Sequence, residues 1–237
     1  MRSDVEIFAV EHNAVTTTQN DVSVSVFNTS DVLLFPGGGR IPEGIIASLE
    51  AIVKESFGMD LSGRATNESV RSVLKTEHLA LLHSRGMLLG FASADSIPDV
   101  GVFYLHGAVV TSSFKGKGGS LSLARALVAR ASLPFVAGTT QNPIIFHFFK
   151  SLCSEVYPSF ESGSIPEDIC ELSKGLIERH PSWRFNPTTF VLEGFYGQCL
   201  YPSIPLSRDH DVNAWFTKKL RIKSGVTRDA FLFIGRI

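Results

Sequence analysis

The segment from residue 100 to residue 131 limits the fold of this chain more than any other part of the sequence. Residues 100–111 form an apolar stretch that predicts a buried strand, and residues 120–131 carry leucines at helical spacing. A glycine-rich turn, residues 115–120, joins them, and a second apolar stretch follows at residues 133–139. Strand–helix–strand units form mixed or parallel sheets with helices packed on the faces. We therefore expect an α/β (mixed α+β) fold with a central mixed sheet flanked by helices.

Apolar spacing predicts further elements on both sides of this segment. They are a strand or an edge hairpin within residues 1–30, a helix after Pro42, a shorter helix at 67–74, strands at 78–83 and 87–94, a helix at 144–153, a helix at 166–179, a strand at 189–195, a helix at 212–220 and a strand at 230–237. No internal repeat or linker is evident, so we expect residues 1–237 to form one domain. Its core would span about residues 30–155, and the apolar extension 158–237 would complete the sheet.

The composition is that of an ordinary globular chain. Apolar residues make up 44% of the sequence and charged residues 19%, which excludes an intrinsically disordered protein. The formal net charge is −1, so we expect neither a nucleic-acid nor a membrane partner. Cys153, Cys170 and Cys199 lack zinc-ligand spacing, and we expect no metal. The first residues lack the apolar run of a secretory signal, so we expect a cytoplasmic protein.

The turn itself indicates a site for an anion. It consists of Lys115, Gly116, Lys117, Gly118, Gly119 and Ser120. Residues without bulky side chains let backbone N–H groups approach a phosphate, and the positive end of the following helix favours negative charge there. The alternative is a tight structural turn that binds nothing. Neither the P-loop pattern GxxxxGK[ST] nor the dinucleotide pattern GxGxxG fits these residues.

The segment resembles the acetyl-CoA-binding motif of the GNAT superfamily of N-acetyltransferases, Arg/Gln-x-x-Gly-x-Gly/Ala after an upstream valine. Lys115 stands where Arg or Gln is usual, Gly118 matches, Ser120 takes the final small position and Val110 is the upstream valine. The resemblance extends over about residues 30–155. It implies a GNAT-like fold, acetyl-CoA as the acyl donor, and transfer of an acetyl or short acyl group to a primary amine.

The resemblance also implies roles for individual residues. Backbone groups of Ala108 and Val110 would pair with the pantetheine arm, and an N–H near Val109 or Val110 would polarise the thioester carbonyl. The N–H groups of residues 117–120 would hold the pyrophosphate. Asn142 would contact the cofactor arm, or would instead cap the helix that follows it.

Acyl transfer to an amine also requires residues that move protons. His106 lies in the predicted strand, on the same side as Tyr104 and Ala108 by alternation. The ordinary imidazole pKa of about 6.5 suits a base that deprotonates an ammonium group, although a buried structural histidine is the alternative. Phe149 stands where many family members have a tyrosine, and it cannot donate a proton. Either the thiolate leaves unassisted and takes its proton from water, or the acid is elsewhere. The substitute candidate is Tyr157, which lies on the same helical face if the helix persists; a packed aromatic is the alternative.

Two residues are expected to bind the acceptor. Arg40 follows a proline–glycine loop, and in GNAT folds the early helices border the acceptor site. Tyr104 shares the strand face of His106. The long extension 158–237 would wall this pocket and favours a small-molecule amine as the acceptor, while a homodimer is left open. The departure at Phe149 supports an alternative function, a catalytically silent acyl-CoA-binding module on the same fold.

Overall fold

The computed structural model describes residues 15–19, 22–29, 43–57, 75–161 and 163–237. Its strands are β1 (Val15–Gln19), β2 (Val22–Asn28), β3 (His78–Ser84), β4 (Met87–Ile97), β5 (Val102–Val110), β6 (Phe135–Thr140), β7 (Glu155–Tyr157), β8 (Arg184–Asn186), β9 (Val191–Glu193) and β10 (Ala230–Arg236). Its helices are α1 (Glu43–Phe57), α2 (Gly119–Val128), α3 (Ile144–Leu152), α4 (Glu167–Glu178) and α5 (His210–Lys219). The backbone forms two compact units.

The first unit contains the described residues up to Asp95 together with Leu105–Ala131. Its strands follow the order β1–β2–β3–β4–β5, and β1 to β4 pair antiparallel with their neighbours. Arg85 and Gly86 form the two-residue turn between β3 and β4 and have φ values of 47° and 78°. Positive φ at both positions matches the right-handed twist of the flanking strands, which fixes the register of this hairpin.

Alternation along the strands gives this sheet two apolar faces. Leu79, Leu81 and Phe91 lie on one face and pack with buried residues of α1. Leu82 points to the opposite face, where it lies beside Gly119 at the start of α2. Because α1 and α2 cover opposite faces of the sheet, this unit has the layered arrangement expected from its strand–turn–helix segment.

The second unit contains Ser96–Tyr104 and Ser132–Ile237. Its strands follow the order β6–β10–β9–β8, and β7 pairs with the end of β10. β10 pairs antiparallel with β6 from Phe231 opposite Thr140 to Arg236 opposite Phe135. The residues after 158 therefore supply three strands of this sheet, β8, β9 and β10.

Aromatic side chains fill much of the core of the second unit. Phe231 and Phe233 of β10 are fully buried and stack with their ring centroids 5.5 Å apart. Trp215 of α5 stacks on Phe231 at 4.5 Å, and Phe146 of α3 meets Phe233 at 5.8 Å. These contacts hold α3 and α5 to β10, so the C-terminal part of the chain belongs to a packed core.

The predicted class, α/β with helices packed on a sheet, is confirmed. Helix α3 ends one residue before its predicted end, and the predicted strand 189–195 is shorter, at Val191–Glu193. β8 was not predicted, because three residues are too few to carry a period. The compact units divide the chain elsewhere than at residues 30, 155 and 158, and a single domain over 1–237 with that core and extension stays a prediction.

Two predicted segments lie outside the described residues: the helix at 67–74 and the proline–glycine loop that precedes Arg40. Among the helices that the structure describes, none combines the length and the apolar character that a membrane crossing demands.

Candidate active site

The turn between β5 and α2 contains two glycines whose backbone is not covered by side chains of their own. A single 3₁₀ turn, Ser112–Phe114, follows β5, and four turn residues then lead into α2. Gly116 and Gly118 have φ values of 75° and 80°, a conformation that other residues adopt only at a cost. A Cβ atom at either position would meet nothing within 4 Å. These glycines are therefore required by the backbone conformation and not by crowding, and they leave space beside the turn.

Five N–H groups of this turn, those of Lys115 and of residues 117–120, fall into two sets. Lys115 and Lys117 donate theirs within the turn, to Ser112 O and Phe114 O, each at 3.3 Å. The N–H groups of Gly118, Gly119 and Ser120 have no acceptor among the residues that the structure describes. They form the start of α2, where the helix dipole is positive. The Lys117 N–H therefore has a partner within the turn, and the binding of a pyrophosphate by the N–H groups of residues 117–120 stays a prediction.

Gly119 has a different physical reason to be glycine. A Cβ atom there would lie 3.0 Å from Leu82, 3.1 Å from Phe114 and 3.2 Å from Val110. The absence of a side chain lets the first turn of α2 sit close against the sheet of the first unit. This packing holds the N-terminus of α2 in place next to the end of β5.

The last turn of α1 anchors the other side of the glycine turn. Ser56 Oγ donates to Val110 O at 2.6 Å, and Glu55 Oε1 accepts the Ser112 N–H at 2.8 Å. Lys115 Nζ donates to Ser56 O at 2.9 Å, which places a positive charge at the C-terminus of α1. The Lys115 ammonium group thus has a structural partner. Lys117 lies over the Phe114 ring, with Nζ 5.3 Å from its centroid.

The end of β5 carries the residues expected to contact the cofactor arm and the thioester. Val110 is buried and its carbonyl is engaged by Ser56, while Ala108 and Val109 are half-buried. Val109 packs against the cluster formed with α1. A Cβ at Gly90 of β4 would lie 2.6 Å from Val109 O, so β4 approaches β5 closely here. The roles of Ala108, Val109 and Val110 toward coenzyme A stay predictions.

His106 is paired with a carboxylate that sequence reasoning missed. Its Nε2 lies 2.7 Å from Oδ2 of Asp95 on β4, and both side chains are 39% exposed. The other carboxylate oxygen, Oδ1, accepts the Glu77 N–H at 2.6 Å. Burial alone would raise the pKa of Asp95, but the hydrogen bonds from His106 and Glu77, with the attraction of His106 and His78, lower it overall. His106 is thus an accessible histidine on a fixed carboxylate and not a buried one.

In the second unit, Asn142 caps the N-terminus of α3. Its Oδ1 accepts the Ile144 N–H at 3.0 Å, and its main-chain oxygen accepts the Ile145 N–H at 3.0 Å. Thr140 Oγ1 accepts the Asn142 N–H at 2.9 Å, and the Asn142 side chain also bonds to Tyr201. The helix-capping interpretation agrees with these bonds, and a contact between Asn142 and the cofactor arm stays a prediction.

The geometric reason for choosing Tyr157 was wrong. α3 ends at Leu152 because Cys153 turns to an extended conformation, with φ −122° and ψ 152°, and Tyr157 lies in β7. It therefore does not share a helical face with Phe149. Burial and the neighbouring Glu155 carboxylate raise the pKa of Tyr157, so its phenol is protonated at neutral pH. A role for this phenol as the general acid stays a prediction.

Phe149 and Tyr104 are core residues of the second unit. Phe149 is 3% exposed, and its ring lies 5.6 Å from Phe233. Tyr104 is 6% exposed and donates to Thr139 Oγ1 at 3.4 Å, and burial raises its pKa to about 12 although the hydrogen bond acts in the opposite direction. A substrate contact by Tyr104 stays a prediction. Arg40, the other predicted contact, lies outside the described residues.

Of two residues that the sequence analysis missed, Asp95 could have been predicted and Ser56 could not. The loop between β4 and β5 is short, so the residues of the two strands can be paired outward from it. This pairing places Asp95 and His106 at neighbouring positions on one face of the sheet. Ser56 could not be predicted, because no local pattern relates it to Val110, which lies 54 residues further along the chain. Among the described residues, no three or more His, Cys, Asp or Glu side chains lie close enough to hold a metal ion.

No protein-family model matches the sequence, and no curated protein matches it. Many solved structures resemble the chain. One is a GNAT family acetyltransferase from Elizabethkingia anophelis with acetyl-CoA bound, with a TM-score of 0.44 and 11% identity over 92% of this chain and 100% of that chain. Another is an IAA acetyltransferase from Bacillus cereus, with a TM-score of 0.43 and 11% identity over 91% of this chain and 99% of that chain.

A third similar structure is an aminoglycoside 6'-acetyltransferase type Ii, with a TM-score of 0.42 and 17% identity over 59% of this chain and 88% of that chain. The TM-scores and the identities are low, so the likeness carries no conclusion about activity or substrate. Acetyltransferases of the GNAT family are thus among the solved structures that this chain resembles.

Proposed function

We propose that this protein is an acyl-CoA-dependent N-acyltransferase of the GNAT type, which transfers an acetyl or short acyl group to the primary amine of a small molecule. One observation carries the proposal: the N–H groups of Gly118, Gly119 and Ser120 have no acceptor among the described residues. Amides at a helix start need a cap, water or a ligand as partner, and they are suited to a phosphate. A pyrophosphate with negative charge on adjacent oxygens matches this set of donors.

The residues around the turn support a diphosphate ligand in two further ways. Gly116 and Gly118 carry no side chain that would occupy the space next to the amides. Lys117 supplies a positive charge that is not tied to a carboxylate by any ion pair of the described residues. Lys115 links the turn to α1 through its hydrogen bond to Ser56 O, so its role is to fix the position of the turn.

The chemistry requires a base, a polarised carbonyl and a proton for the leaving thiolate. His106 takes the proton of the acceptor's ammonium group, and its exposure leaves it accessible to a substrate. Backbone N–H groups near Val109 and Val110 would polarise the thioester carbonyl. Tyr157 remains the candidate acid, because its phenol keeps its proton at neutral pH. A thioester supplies an activated acyl group, so no further cofactor is needed.

Titration of the protein with coenzyme A in a calorimeter tests the proposal first. We expect saturable binding of coenzyme A, and release of thiol from acetyl-CoA when the protein is mixed with a panel of primary amines. Absence of binding up to millimolar concentrations would remove the proposal.

A catalytically silent acyl-CoA-binding module is the second candidate. The buried Phe149, at the position where the family commonly has a proton-donating tyrosine, favours it. The two functions predict the same coenzyme A binding and differ in turnover. Binding without thiol release from acetyl-CoA across the amine panel would establish the silent module.

A further inference from the structure

Asp95 holds His106 from a position that is itself fixed. Its Oδ2 lies 2.7 Å from Nε2 of His106, and its Oδ1 accepts a hydrogen bond from the Glu77 main-chain N–H at 2.6 Å. Glu77 directly precedes β3, whereas Asp95 lies on β4 and His106 on β5. Since the Glu77 donor belongs to the backbone, Asp95 cannot rotate toward another partner without losing a hydrogen bond. The orientation of the His106 ring is therefore set by the sheet.

The charge of Asp95 decides which nitrogen of His106 carries hydrogen. The pKa of Asp95 is lowered overall, so it is a carboxylate at neutral pH and can only accept hydrogen bonds. The nitrogen that faces it, Nε2, must then bear the hydrogen. In the neutral ring the lone pair lies on Nδ1.

We propose that Asp95 is a positioning residue for catalysis: it fixes the Nε2–H tautomer of His106, so that Nδ1 is the atom that takes a proton from the acceptor ammonium group. This inference rests on the proposed acyltransferase function and names the basic atom within it. The Asp95 carboxylate then faces the imidazolium ring that forms.

The proton balance of the reaction follows from this arrangement. The first proton of the ammonium group moves to His106 Nδ1, and the amine lone pair forms a bond to the thioester carbonyl carbon. When the carbon–sulfur bond breaks, the thiolate leaves with its electron pair. The candidate acid, Tyr157, gives a proton to that thiolate, the second nitrogen proton replaces it on the acid, and His106 returns the first proton to water. The net products are an amide, a thiol and one proton.

His78 of β3 provides an internal comparison. Its Nδ1 lies 3.1 Å from Asn28 Oδ1 and its Nε2 lies 3.5 Å from Glu77 Oε2, and burial lowers its pKa even though the Glu77 charge opposes this effect. The His78 side chain is 11% exposed, whereas the His106 side chain is 39% exposed. Only His106 of these two histidines combines a fixed carboxylate with access to substrate.

Substitution of Asp95 by asparagine makes a sharp prediction. The Glu77 N–H needs an oxygen acceptor, so the amide oxygen of Asn is expected to face Glu77 and the amide NH₂ to face His106. Nε2 must then accept a hydrogen bond, and the hydrogen moves to Nδ1. Asp95→Asn thus keeps size and hydrogen bonding but moves the lone pair from Nδ1 to Nε2, where the hydrogen bond from residue 95 occupies it.

Nitrogen-15 NMR of the imidazole rings measures this directly at neutral pH, in the wild-type protein and in Asp95→Asn. We expect the Nε2–H tautomer for His106 in the wild type and the Nδ1–H tautomer in the variant. Turnover should fall by about 100-fold or more, the scale of general-base catalysis, with coenzyme A affinity unchanged. Asp99→Asn, which removes a carboxylate paired with Arg179 in the loop of the same hairpin, is the matched control and should change neither readout.

The outcomes separate this inference from the proposed function. A wild-type His106 with its hydrogen on Nδ1, or an Asp95→Asn variant with unchanged turnover, would overturn the inference even if coenzyme A binds. A protein that fails to bind coenzyme A would overturn the function while the tautomer of His106 could still be as derived. The wild-type spectrum alone tests the tautomer if the variant fails to fold.

Discussion

Helices α2 and α3 each follow a strand in the chain, and the N–H groups at their N-termini differ in whether they have an acceptor. At the start of α3, Asn142 supplies acceptors for the N–H groups of Ile144 and Ile145, and Pro143 has no N–H. At the start of α2, glycine and serine occupy the same positions, and the N–H groups of Gly118, Gly119 and Ser120 have no acceptor among the described residues. The N–H groups at the start of α3 have acceptors within the protein, whereas those at the start of α2 are left to water or a ligand.

The difference comes from side chains and not from helix geometry. Every α-helix begins with N–H groups that lack intrahelical acceptors, so each N-terminus needs a cap, water or a ligand. Asn142 and Pro143 remove this need at α3 by capping one group and eliminating another. At α2 the glycines provide no cap and keep the approach clear. We therefore expect an anion to bind at α2 and not at α3.

The largest effect is expected from Gly118→Glu, which alters the start of α2, where the N–H groups have no acceptor among the described residues. The substitution introduces a carboxylate next to the amides and forces a side chain into a backbone conformation with φ of 80°. Like charges about 4 Å apart near a protein surface repel by roughly 4 kcal/mol before screening, so coenzyme A affinity should fall by at least about 100-fold. Calorimetric titration measures the affinity.

Gly101→Glu is the control for this variant. Gly101 also has a positive φ, 77°, and open space around its Cβ position, but it lies at the other end of β5. It should show a similar loss of stability with unchanged affinity for coenzyme A. Equal affinities of the two variants would mean that the α2 end is no anion site.

Gly119→Val should have the next largest effect, and it acts on stability. The added side chain must displace Leu82, Phe114 and Val110, because even a Cβ there lies within 3.2 Å of each. Overpacking of this kind costs about 1–3 kcal/mol of unfolding free energy. Denaturant unfolding measures this cost, and Ser122→Ala, on the exposed side of the same helix, should leave stability nearly unchanged. A fully stable Gly119→Val variant would show that α2 is not held against the sheet.

The sequence predicted the two helix starts to different extents. The glycine-rich turn was visible because glycines act locally, and the cap at Asn142 was recognised as an alternative from its place before Pro143. The contacts that Ser56, Glu55 and Lys115 make across the chain were not visible, since no periodicity links residues over fifty positions apart. The end of α3 was predicted to within one residue, but the short strand β7 that contains Tyr157 was not predicted.

Asn142→Ala tests the start of α3, where Asn142 caps the helix. Loss of the side-chain oxygen leaves the Ile144 N–H without its acceptor, which should cost about 1 kcal/mol of stability. Thermal unfolding measures the loss, and Asn142→Asp should retain the cap. Coenzyme A affinity should stay unchanged if this end is purely structural. A clear loss of affinity with little loss of stability would instead support a contact between Asn142 and the cofactor arm.

The smallest effect is expected for Lys115→Ala. Because the Lys115 ammonium group bonds to Ser56 O at the C-terminus of α1, its removal should cost roughly 0.3–1 kcal/mol of stability. The effect on coenzyme A affinity should be smaller than that of Lys117→Ala, whose side chain makes no such bond to α1. The reverse order of the two affinities would assign the phosphate contact to Lys115.

The central claim is that the free amides at the start of α2 hold a pyrophosphate. Titration of nitrogen-15-labelled protein with coenzyme A, followed by amide NMR, tests it most directly. The amides of Gly118, Gly119 and Ser120 should show the largest shifts, while those of Ile144 and Ile145, which already have acceptors, should move little. Saturation with coenzyme A that leaves the three α2 amides unmoved would contradict the claim.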